Sequence, residues 1–165
     1  MAINLLSGTG YLLFSGLLDV GDWVVVVDGF EPAWVWRLIL AVAGLILYLA
    51  CIWIALASLN KFIGADDDRH RRAFKQSLMP YIVGSSTTTI GAFLNPISPL
   101  LILTSAASAF GGTSALAWMS QLLKTRHFAA VDSDPLAVSR SWIWVVGSAL
   151  LLLAHIFVLG PAVQF

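Results

Sequence analysis

Few side chains in this sequence could do chemistry, and most of those lie in apolar surroundings. His155 falls within Ser141 to Phe165, a stretch without Asp, Glu, Lys or Arg. An ionisable group at such a place is a candidate for proton handling or ligand binding, unless a neutral imidazole simply bonds a serine or carbonyl of a neighbouring helix. Ser85-Ser86-Thr87-Thr88-Thr89 puts five hydroxyls into little more than one helical turn. Each can return a hydrogen bond to the carbonyl of the preceding turn, which makes the cluster a packing surface; alternatively Thr87 and Thr88 line a polar pathway. Asp66-Asp67-Asp68 precede Arg69-His70-Arg71-Arg72, acids before bases, as a solvated helix start prefers, and metal binding there is the poorer alternative.

The elements that must position these groups follow from charge. Between Pro80 and Leu123 there are 44 residues without a charged side chain, roughly 66 Å if helical, about twice the hydrocarbon thickness of a bilayer. Three more uncharged blocks run over Met1 to Leu18, Leu38 to Leu59 and Ser141 to Phe165. With 59% hydrophobic and 11% charged residues, the chain exceeds what a soluble core requires. Lipid offers backbone groups no hydrogen-bond partner, so the expected fold is all-α, a multi-pass transmembrane bundle with about five crossings. The chain is then a single integral membrane domain over 1–165, with helices near 2–18, 37–59, 78–94, 98–121 and 141–162.

The long middle block must double back. Asn95-Pro96-Ile97-Ser98-Pro99 is the expected break, because Pro96 and Pro99 lack N–H groups and disfavour helix in the residue before them, while Asn95 can cap the helix that follows. Gly111-Gly112 is the rival hinge, but it leaves one limb too short to span. Lys and Arg gather in loops 60–77 and 124–140, which places both in the cytoplasm if the chain resides in the inner (plasma) membrane. An even number of crossings must separate them, and the helical hairpin supplies it. The acidic stretch with Asp19, Asp22, Asp28 and Glu31 then lies outside. Gly8, Gly10 and Gly16, with Gly111 and Gly112, mark faces for close helix packing. Cys51, the single cysteine, excludes an intrachain disulfide. A formal net charge of zero gives no sign of nucleic acid as a partner; the expected partners are the bilayer and helices of a membrane-protein substrate or subunit.

Asn4-Leu5-Leu6-Ser7-Gly8-Thr9-Gly10-Tyr11, Leu13-Phe14-Ser15-Gly16 and Gly21-Asp22-Trp23, with Asn95-Pro96 and Ala109-Phe110-Gly111-Gly112 further on, resemble segments of site-2-protease-like (M50-like) zinc metallopeptidases. That resemblance implies regulated cleavage of membrane proteins by a helix carrying His-Glu-x-x-His, with a later aspartate as third zinc ligand. His-Glu-x-x-His is absent: the one glutamate, Glu31, has no histidine beside it, and His70, His127 and His155 are far apart. Asp22 is the residue onto which the third-ligand role could be carried. The resemblance therefore implies the C-terminal membrane region of such a peptidase, not catalytic as it stands, with zinc belonging to a longer product and no cofactor assigned to these residues. A start without basic residues fits a chain that continues upstream of Met1. The competing expectations are a small transporter or channel, and a non-catalytic subunit of a larger membrane complex.

Overall fold

The computed structural model describes residues 2–94, 99–124, 139, 141–154 and 156–157. Within them the chain forms helices and no strand: α1 (Ala2–Leu18), α2 (Asp22–Val27), α3 (Ala33–Ile63), α4 (Arg69–Phe93), α5 (Pro99–Gly112), α6 (Ala115–Leu122) and α7 (Trp142–Ala154). The all-α class is as expected. Of these helices, α3 is long and apolar enough to cross a membrane by itself, whereas α1 and α7 are apolar but shorter.

α3 holds 31 residues, about 46 Å at 1.5 Å per residue. It starts after Pro32, whose extended backbone sets the entry, and stops at Gly64, where φ is +66°, a conformation that costs glycine little. α1 stops in a related way at Asp19, with φ +58°. Asp19 also forms an ion pair with Arg37, tying the end of α1 to the first turns of α3. The two helices run antiparallel and pack along their length: Gly16 lies against Ala41 and Gly44 against Leu13.

α4 begins at Arg69, well before the start predicted near 78. The three aspartates 66–68 stand ahead of the helix, whose positive end they complement. Arg72 then folds back from its first turn. Its Nε donates to the Ile63 carbonyl at 2.9 Å and its Nη1 to Asp66 at 3.1 Å, so one guanidinium satisfies the end of α3 and joins it to the start of α4. The Arg72 hydrogen bond holds the Asp66 carboxyl below the usual carboxylate range, against a smaller opposing push from desolvation. α4 packs on α5 and α6, and α5 on α1.

The principal core lies at this basic end, where Leu6, Leu56, Ile63, Leu116, Met119 and Leu123 meet around Ala55, Ala73 and Ala115. Ser15, Asn60, Ser77, Ser85, Thr87, Thr113 and Ser120 are buried as well, while Ile46, Leu103 and Ile143 are 62%, 66% and 85% exposed. Water drives large aliphatic side chains inward. A surface built from them is suited to lipid.

Candidate functional site

The site is assembled where the chain breaks between α5 and α6. A single helix is expected near 98–121, but two glycines, Gly111 and Gly112, weaken helix there, and the chain turns at Thr113 and Ser114. Ser114 N–H donates to the Gly111 carbonyl at 3.1 Å, Leu116 N–H to Thr113 at 2.9 Å and Ala117 N–H to Ser114 at 3.0 Å, the tighter three-residue spacing of a 3₁₀ turn. Ala115 N–H, orphaned by the turn, donates to the Tyr48 hydroxyl of α3 at 3.1 Å, and Tyr48 Oη lies 3.4 Å from Ser114 Oγ. On the other side of the break, Ser85 of α4 donates to the Ala109 carbonyl at 3.1 Å and Thr113 donates to the same oxygen at 2.6 Å. The two hydroxyl oxygens are 3.2 Å apart.

Glycine brings α1 up to this break. A Cβ on Gly10 would stand 2.6 Å from Gly112 Cα, closer than any real side chain tolerates, so the two backbones touch. Beside that contact is a cavity of about 300 Å³ lined by Gly10, Leu13, Phe14, Gly112, Tyr48 and Ser114 among others. Among the described residues its lining holds no carboxylate, imidazole or amine. The arrangement can seat an apolar segment, with Tyr48 and Ser114 as a polar handle.

The other expected site residues are placed as follows. Thr87 donates to the Val83 carbonyl at 2.7 Å, Thr88 to Gly84 at 3.2 Å and Thr89 to Ser85 at 2.9 Å. These threonines are bonded along their own helix, and Thr88 is exposed. Ser85 is the hydroxyl that crosses to another helix. Gly10, Gly16 and Gly112 make close contacts, whereas Gly8 and Gly111 have none of the described residues within 4 Å of a Cβ position. Asp22 opens α2 with its side chain exposed, its N–H donating to Tyr11 Oη at 3.0 Å. Among the described residues no three His, Cys, Asp or Glu side chains come together, so those described around Asp22 do not fit a zinc centre. Pro99 is the exposed first residue of α5; His155, Asn95 and Pro96 lie outside the described residues.

No protein-family model, curated protein or solved structure matches this chain. The geometry alone therefore carries the functional reading.

Tyr48, Thr113, Ser114 and Gly44 were not singled out by sequence. Tyr48 carried a usable signal: a phenol in the middle of an uncharged block needs a hydrogen-bond partner. Tyr48→Phe removes that partner from Ala115 N–H and should lower unfolding free energy by about 1–2 kcal/mol. Unfolding in detergent, followed by circular dichroism, measures it; an unchanged midpoint would show that the α5–α6 turn does not depend on the phenol.

Proposed function

We propose that the chain is a multi-pass integral membrane protein of the inner (plasma) membrane, crossing about five times, whose part is to pack its helices against other membrane segments rather than to act alone. The observation that carries this reading is the run of exposed large hydrophobic side chains along α3 and α7, together with hydroxyls buried between helices. Antiparallel α1 and α3 support the orientation, because they separate the acidic stretch around Asp19 to Glu31 from the basic one around Lys61 to Lys75, as cytoplasmic loops 60–77 and 124–140 require. α7 supports the packing role, since none of its described residues is buried and both its faces stand open to neighbours. Local bonding of Thr87 and Thr88 favours packing over transport.

Isolated from its native membrane in mild detergent, the protein should elute with a larger helical partner, well ahead of a 17.8 kDa chain. A stable monomer would overturn the packing role, and recovery in the soluble fraction after carbonate extraction would overturn the membrane reading. The resemblance to M50-like peptidases suggests a narrower form, in which the partner is a zinc-bearing His-Glu-x-x-His helix. Zinc content of that same complex tests it.

A further inference from the structure

At the basic end of the bundle, the start of α4 and the finish of α6 enclose a pocket of about 180 Å³ whose lining includes Asp67, Arg69, His70, Ser120, Leu123 and Lys124. Ser120 and Leu123 are buried, while His70 and Lys124 are exposed at the surface. Arg69 is held in place, its Nη2 donating to the side-chain oxygen of buried Asn60. Among the described residues Asp67 is the one carboxylate in the lining; the neighbouring Asp66 is turned to Arg72. Within that set, two permanent cations and an imidazole share the pocket with one acid. The volume suits a single charged group and falls below that of drug-sized ligand sites, which begin at roughly 300 Å³. Next to the pocket, α6 turns Trp118 and Leu122 outward, an apolar strip along which acyl chains could run.

We propose that this pocket binds a phosphate group, either that of an anionic phospholipid or that of a soluble phosphate compound. The lipid form rests on the membrane reading above; the phosphate chemistry does not. The full chain is reconstituted into phosphatidylcholine vesicles with and without phosphatidylglycerol, and lipid retained on the protein is read by native mass spectrometry; inorganic phosphate is titrated separately against the detergent-solubilised protein. Phosphatidylglycerol should be retained over phosphatidylcholine, and His70→Gln with Lys124→Gln should reduce that preference about fivefold, as expected for the loss of one lysine near an anionic surface. Asp67→Asn should strengthen it, a gain that misfolding cannot mimic. A phosphate effect without lipid preference assigns the pocket to a soluble compound. Equal retention of both lipids together with no response to phosphate overturns the proposal. Failure to enter vesicles overturns the membrane reading instead, and the phosphate titration still decides the pocket.

Discussion

Ile46→Lys should lower the insertion equilibrium constant of α3 on the order of a hundredfold, from a cost of about 2.5–3.5 kcal/mol for a lysine at the centre of a crossing helix. Ile46 sits near the middle of α3 and is 62% exposed, so the substitution breaks no core and opens no cavity. In water an exposed exchange of this kind changes stability by no more than about 0.5 kcal/mol and aids solubility. The two solvents therefore predict different outcomes for one residue. Glycosylation-site mapping of insertion, with Ile46→Leu as reference, reads the difference. Read in a background where insertion of α3 is incomplete, a lysine variant with the same insertion free energy as the reference would mean that lipid does not surround α3.

The second large effect is at the α1–α3 contact. A Cβ on Gly44 would stand 2.5 Å from Leu13 N, and one on Gly16 would stand 2.6 Å from Ala41 N. Both obstacles are backbone, which cannot swing aside as a flexible side chain would. Gly44→Ala and Gly16→Ala should each cost about 1–3 kcal/mol by overpacking, and leucine at either position should cost more. Gly8→Ala provides the opposite sign: it meets open space on the same helix, and alanine should gain up to about 1 kcal/mol of helix propensity. Thermal unfolding in detergent ranks the three. The double alanine variant should cost less than the two single losses together, because one forced separation of the helices relieves both sites. Equal midpoints for Gly8→Ala and Gly44→Ala would refute the close approach.

Much of the helical order was legible because it is written in charge. The uncharged run before Asp19 and the one between Arg37 and Lys61 mark α1 and α3, and α1 occupies the predicted 2–18 span. The acids ahead of bases at 66–72 mark a helix start, and α4 does begin there, at Arg69; the bound near 78 falls late because Pro80 and the uncharged run after it set only where the apolar part begins. The α5–α6 break was weighed and set aside on length alone. What decides it is a contact between Tyr48 and Ala115, residues distant in sequence, and no local period encodes such a pair. Glycines were found by composition, but which of them touch another helix depends on the rotation of α1 about its axis. Gly10 and Gly16 face neighbours while Gly8 faces outward.

The stretch of α3 between Arg37 and Lys61 is slightly longer than a typical hydrocarbon slab of about 30 Å, so a thinner bilayer would make it lean rather than sink. α1 is pinned to α3 by an ion pair at one end and by glycine contacts along the way, and would lean with it as one lever. That lever rests on Gly112, at the hinge between α5 and α6. A tilt of α1 would thus be passed through the Gly10–Gly112 contact to the α5–α6 break and the cavity beside Tyr48.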